Sequence, residues 1–275
     1  MTRTHITLAT LAALALAAVL PQAARAQQTL YVSTTTTTID TFSSSGTRAQ
    51  FASDPGNHSV LNNPFGLAFD AVGNLYAANY SSNTIEEFTP GGTPSTFASD
   101  PGNLGNRSVL AEPFGLAFDS RGNLYAANSF GNTIEEFTPG GGASTFATLA
   151  NGLNFPVGLA FDSAGNLYAA NQDNNTIEKF TPSGTGSLFA SNTLQPGSLN
   201  EPAGLAFDSR GNLYAVNAGS GTIEEFTPGG TASLFATDPN RPQFLAFAPT
   251  PEPSPLAALG LGILGLTIKA RRRTA

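Results

Sequence analysis

Four times in this chain the string GLAFD recurs, beginning at Gly66, Gly115, Gly158 and Gly204. Seven residues after each start comes GNLYA, at Gly73, Gly122, Gly165 and Gly211. Thr-Ile-Glu follows at Thr84, Thr133, Thr176 and Thr222, and every copy runs on into Phe-Thr-Pro. The GLAFD glycines are 49, 43 and 46 residues apart. A unit of this length cannot bury its own apolar faces, so its neighbours must do so and the fold must be repetitive. The density of Gly, Pro, Asn and Thr within the unit excludes helices.

The unit divides into four short strands. GLAFD is strand a, LYAAN strand b, TIEEF strand c and STFAS strand d, with Asp70-Ala71-Val72-Gly73-Asn74 and Pro90-Gly91-Gly92 as turns. Apolar residues fall at odd and even positions together, as expected of sheets covered on both faces. Four antiparallel strands per unit predict one blade of a β-propeller. Leu30 to Ser53 aligns with strands b, c and d and lacks an a; Gln243 to Pro249 aligns with an a and lacks the rest. The expectation is therefore an all-β, five-bladed propeller, closed by N-terminal strands b-c-d and a C-terminal strand a. Sharing one blade between the termini removes the sheet edges that would otherwise template aggregation.

The chain's two ends read differently. Residues 1–26 have Arg3, an apolar run from Leu8 to Leu20, the breaker Pro21 and the small-residue site Ala24-Arg25-Ala26, the pattern of a cleaved secretory signal peptide. Residues 27–250 are the propeller, with six basic residues against 18 acidic ones. That balance repels phosphate backbones and anionic lipid, and excludes nucleic acid as a partner. With no cysteine in the chain, stability outside the cytoplasm must come from packing.

The unit PFGLAFDSRGNLYAANSFGNTIEEFTPGG resembles the NHL repeat, with its proline-led strand, D-x-x-G-N turn and N-x-I strand. The resemblance covers nearly all of residues 30–250. It implies a propeller that acts chiefly as an interaction platform, although related propellers include gluconolactonase-like and streptogramin-lyase-like enzymes. The residue after LYxA or LYxV, often Asp in NHL repeats, is Asn here: Asn79, Asn128, Asn171 and Asn217.

Residues 251–275 resemble a PEP-CTERM sorting segment. Pro251-Glu252-Pro253 is followed by an apolar run from Leu256 to Ile268 and a basic cluster of Lys269, Arg271, Arg272 and Arg273. Thirteen helical residues span roughly 20 Å, against about 30 Å of hydrocarbon. So short a transmembrane helix suits a temporary hold, its arginines kept cytoplasmic by the positive-inside tendency. The resemblance implies an exosortase-type processing enzyme as partner, transient attachment to the inner membrane, and then a cell-surface or extracellular location. Two short hydrophobic helices, signal peptide and sorting tail, thus flank the propeller.

Catalytic constellations are sparse. His58 is the single histidine of the propeller, too little for a nucleophilic triad or a His/Cys zinc site. Asp70, Asp119, Asp162 and Asp208 each open a D-x-x-G-N hairpin and read as turn acceptors. The glutamate pairs Glu86-Glu87, Glu135-Glu136 and Glu224-Glu225 point to opposite sides of a strand, and are expected at solvated positions. No catalytic residue, metal ligand or cofactor is assigned. The enzymatic alternative is a lactonase- or lyase-like propeller with a calcium-type site in its central channel. Near-identical blades favour multivalent contact with a repetitive partner, polysaccharide or a surface protein. The b–c loops vary most between blades, so ligand contact is expected there, with Tyr80 and Phe130 as stacking platforms beside Asn79, Asn128, Asn171 and Asn217.

Overall fold

The computed structural model describes residues 29–33, 37–43, 47–54, 56, 59–99 and 109–238. The expected signal peptide, sorting segment and closing strand at 243–249, together with His58, lie outside the described residues. Within the described part the chain is a five-bladed all-β propeller with one short 3₁₀ turn at Leu149–Asn151.

The first blade holds β1 (Leu30–Ser33), β2 (Thr38–Phe42) and β3 (Arg48–Ser53), the expected b, c and d. The second holds β4 (Pro64–Phe69), β5 (Leu75–Asn79), β6 (Thr84–Phe88) and β7 (Pro94–Ser99). The third is built from β8 (Pro113–Phe118), β9 (Leu124–Asn128), β10 (Thr133–Phe137) and β11 (Ala143–Ala147). β12 (Pro156–Phe161), β13 (Leu167–Asn171), β14 (Thr176–Phe180) and β15 (Gly186–Ser191) form the fourth. β16 (Pro202–Phe207), β17 (Leu213–Asn217), β18 (Thr222–Phe226) and β19 (Ala232–Thr237) form the fifth. Each blade is an antiparallel meander, so the a–b and c–d turns share one face of the disc, and the b–c loops and blade connections share the other.

The D-x-x-G-N turns behave as their residues require. Asp70 Oδ1 accepts hydrogen bonds from the Val72 and Asn74 amides, and Oδ2 accepts one from the Asn74 side chain. Asp119, Asp162 and Asp208 repeat the arrangement. Gly73 closes the turn at φ +92°, where a side chain would be strained.

Aromatic rings hold blade to blade. Each strand-b tyrosine meets edge-on the strand-d phenylalanine of its own blade, and Tyr31, Tyr76, Tyr125 and Tyr168 also meet the strand-a phenylalanine of the next. Tyr76 lies 5.1 Å from Phe97 and 5.0 Å from Phe118, and Tyr125 lies 5.0 Å from both Phe146 and Phe161. The strand-d ring then reaches the buried strand-c ring of the next blade, as Phe97 does Phe137 at 5.9 Å. Such edge-to-face pairs add about 0.5–1.5 kcal/mol each beyond the area they bury.

At the innermost strands the blades meet through backbone. A Cβ on Gly66 would overlap the Phe114 carbonyl oxygen, one on Gly115 that of Val157, and one on Gly158 that of Ala203. At Gly66, Gly115 and Gly158 the glycine of GLAFD is therefore required by close approach of the neighbouring blade's main chain.

One expectation needs correction. The first glutamate of each strand-c pair is not solvated: Glu86, Glu135 and Glu224 are buried, as are Glu178, which precedes Lys179, and Asp40 at the equivalent place in the first blade. Adjacent residues do point to opposite faces of the strand, but neighbouring blades cover both faces. The buried carboxylates are accommodated blade by blade. Arg48 pairs with Asp40 at 2.6 Å, and Thr96 and Thr145 donate hydroxyls to Glu86 and Glu135. Leu188 and Leu234 stand opposite Glu178 and Glu224, where no hydroxyl is available.

Candidate functional site

Asn79, Asn128, Asn171 and Asn217 close strand b in their blades and are buried. Asn128 shows their role. Its Oδ1 accepts from the Ala111 amide at 3.2 Å, while its Nδ2 donates to the Val109 carbonyl at 2.9 Å and to Thr133 Oγ1 at 3.1 Å. The other three make the same set of contacts. Each amide thus ties a b–c loop to the connection entering its own blade. The position needs a donor and an acceptor together, which Asn supplies and ionised Asp does not.

A second asparagine ties one blade to the next. Asn83, Asn132 and Asn175 adopt left-handed backbone at φ 54°, 51° and 55°. Their Oδ1 atoms accept from the Glu112, Phe155 and Glu201 amides at 2.8, 2.6 and 2.6 Å. Those three donor residues precede the proline of strand a and are themselves left-handed, at φ 53°, 51° and 50°. Such backbone in Glu and Phe is sparsely populated. These ties hold the b–c face of the disc in a fixed frame.

Around that frame the side chains differ from blade to blade. Between the second and third blades the mouth is aromatic. Phe65 and Phe114 stack at 4.1 Å with an interplanar angle of 20°, and Tyr80 lies edge-on to them at 5.5 and 6.0 Å. Its hydroxyl hydrogen-bonds the Glu112 carboxylate. That bond first, then burial, then the neighbouring charge, push the phenol up to about 12. Phe130, in the next b–c loop, is 72% exposed. The residue before it, Ser129, is buried and donates to the Pro156 carbonyl at 2.8 Å. The structure thus puts Tyr80 in an aromatic cluster, Phe130 in solvent on the same face, and the four strand-b asparagines beneath.

Between the fourth and fifth blades the mouth is polar. A cavity of about 390 Å³ is lined by Gln172, Asp173, Asn175, Asn200 and Glu201. Gln172 and Asp173 lie in a variable b–c loop, where contact was expected, whereas Phe65, Phe114, Glu112, Asn175, Asn200 and Glu201 were not singled out by sequence reasoning. The signal was there: the second residue of strand a runs Phe65, Phe114, Val157, Ala203, and the residue before its proline runs Asn63, Glu112, Phe155, Glu201. Both vary inside an otherwise constant string.

Among the described residues no three His, Asp or Glu side chains gather as metal ligands would.

Residues 249–273 match the PEP-CTERM protein-sorting motif. No curated protein sequence matches the chain. Solved propellers are similar in fold at low identity. A gluconolactonase from Xanthomonas campestris, XC5397, is 18% identical with a TM-score of 0.64, over 80% of this chain and 76% of that one. Virginiamycin B lyase from Staphylococcus aureus is 20% identical with a TM-score of 0.62, over 78% and 69%. A structure of a nidogen/laminin complex is 24% identical with a TM-score of 0.62, over 75% and 76%.

Proposed function

We propose that this chain is an exported, exosortase-sorted propeller that works as a non-enzymatic binding module at the cell surface or outside the cell, with extracellular polysaccharide as its ligand. The observation that carries the reading is the b–c mouth: a fixed hydrogen-bonded frame presenting aromatic rings on one side and amides with carboxylates on the other. Aromatic faces take the C–H faces of sugar rings, and amides and carboxylates take their hydroxyls, the usual division of labour in a ligand site. The sorting motif supports export through the membrane. Transient retention by the tail, recognition of Pro251-Glu252-Pro253 and release follow from that motif's logic. A lactonase- or lyase-like activity is the second reading, favoured by the fold of the solved neighbours. It would have to operate without a convergent metal-ligand set among the described residues.

The test has two arms. Tyr80→Ala with Phe130→Ala should weaken retention on matrix polysaccharide roughly tenfold or more, as loss of stacking by two rings implies. Unchanged retention removes the mouth from the reading. Alanines at Pro251, Glu252 and Pro253 should leave export intact but hold the protein at the inner membrane with its tail attached, as mass spectrometry of the cell fractions reads. Soluble extracellular protein ending beyond Arg273 rules the sorting reading out.

A further inference from the structure

We propose that Glu112 is the positioning residue of the aromatic mouth: across the junction of the second and third blades, its carboxylate holds the Tyr80 ring where that ring meets a sugar. The inference rests on the glycan-binding reading above and adds the group that sets one of its contacts.

Tyr80 needs a second anchor. Phe65 and Phe114 stack at 4.1 Å, and Tyr80 lies 5.5 and 6.0 Å from them, beside the stack and not on its end. Two rings so close together cover one face of Tyr80 and not both, and no third ring among the described residues meets it. Edge-on contact from one side leaves the far end of the ring free to swing. A hydrogen bond at that end, the hydroxyl, stops the swing and preorganises the open face, which cuts the entropy lost on binding. The Glu112 carboxylate supplies this bond, the largest of the causes that push the phenol up to about 12.

The backbone of Glu112 is the second argument. It is left-handed at φ 53°, a conformation that Asn adopts far more readily than Glu. The same position before strand a of the second blade is Asn63, at φ 54°. What Glu112 gives the frame comes from its main chain. Its amide donates to Asn83 Oδ1 at 2.8 Å, and its carbonyl accepts from the Ser129 amide at 3.2 Å. Neither bond uses the side chain, so the frame alone would be better served by Asn. A glutamate kept in disfavoured backbone, with its carboxylate on Tyr80, indicates a role beyond the frame. At the next two junctions the loop and connection positions hold Ser129 with Phe155 and Gln172 with Glu201. The phenol–carboxylate pair therefore belongs to the junction where the rings cluster.

The experiment measures retention of the full chain on exopolysaccharide prepared from the producing cells. Glu112→Asn suits the left-handed backbone but is one methylene shorter and withdraws the acceptor. It should weaken retention roughly fivefold, about the worth of one hydrogen bond, and melt no lower than wild type. Glu112→Gln keeps an acceptor oxygen at the same reach and should restore retention. Tyr80→Phe should lose as much as Glu112→Asn, and the two together no more than either. In carbon-13 spectra, the oxygen-bearing ring carbon of Tyr80 should stay unmoved to about pH 11 in wild type and titrate near the ordinary tyrosine value of about 10 in Glu112→Asn. Unchanged retention in Glu112→Asn overturns this proposal and leaves glycan binding standing. Equal losses in Glu112→Asn and Glu112→Gln that add to the loss in Tyr80→Phe make Glu112 a direct ligand contact and overturn it. Melting of Glu112→Asn well below wild type makes the side chain part of the frame, which overturns it too. No retention of the wild-type chain overturns both this proposal and the glycan reading.

Discussion

At the scale of single residues, Asn128 and Phe130 stand two positions apart and do opposite things. The Asn128 amide is fully enclosed and carries three hydrogen bonds. Replacing it with alanine leaves the Ala111 amide and the Val109 carbonyl without their partner, at a cost of about 2–4 kcal/mol. Asn128→Asp should do no better, because a carboxylate would face the Val109 carbonyl. Urea unfolding of both variants gives the check, with Phe130→Ala as a control that should leave stability unchanged, since its ring is mostly in solvent. The repeat made Asn128 visible in the sequence, but not its burial. Its partners are main-chain atoms of a connection whose side chains differ in every blade, so no side-chain pattern announces them. Tyr80 was legible as an aromatic in a variable loop; its neighbours Phe65 and Phe114 were hidden inside strings read as strand.

At the scale of the strand, the buried acid of strand c depends on what strand d offers across the ladder. Thr96 gives Glu86 a hydroxyl, whereas Leu188 gives Glu178 none. Burial alone pushes the Glu178 carboxyl up to about 7, well above its ordinary value. The folded chain then holds a proton that the unfolded chain releases between about pH 4.5 and 7, so stability falls as pH rises through that window and is flat above it. Glu178→Gln should melt with wild type at pH 4 and roughly 2–4 °C higher at pH 8. Leu188→Thr should restore the hydroxyl and flatten the wild-type slope. Differential scanning calorimetry across pH distinguishes these outcomes. The repeat placed strands b and c to the residue, as LYAAN and TIEEF, while strand a begins two residues before GLAFD, at its proline. Period-two alternation went wrong at Glu86 because it tells which residues share a face and not what covers that face.

At the scale of the whole molecule, the five blades were readable from the repeat, as were the three strands b, c and d of the first. The asymmetry of the mouth was not, because it resides in the few residues where the copies disagree. Closure is where the ring is open to test. Three junctions carry an asparagine tie, from Asn83, Asn132 and Asn175, and the fifth blade has Gly221 at that position, with φ 69°. We propose that the segment 243–249, which lies outside the described residues, supplies the missing strand a and closes the ring. Deleting it should broaden thermal unfolding and bring on aggregation through exposed strand edges. A truncated chain that melts like the full one argues against closure by that segment. The backbone contact at Gly66, Gly115 and Gly158 reaches further still. Each glycine is fitted to the neighbouring copy of itself, so a gene duplication that inserts a whole unit brings its own matching surface, whereas one codon changed at a single glycine does not. Lineages of this architecture should accordingly vary by gain and loss of entire units more readily than by drift at that position.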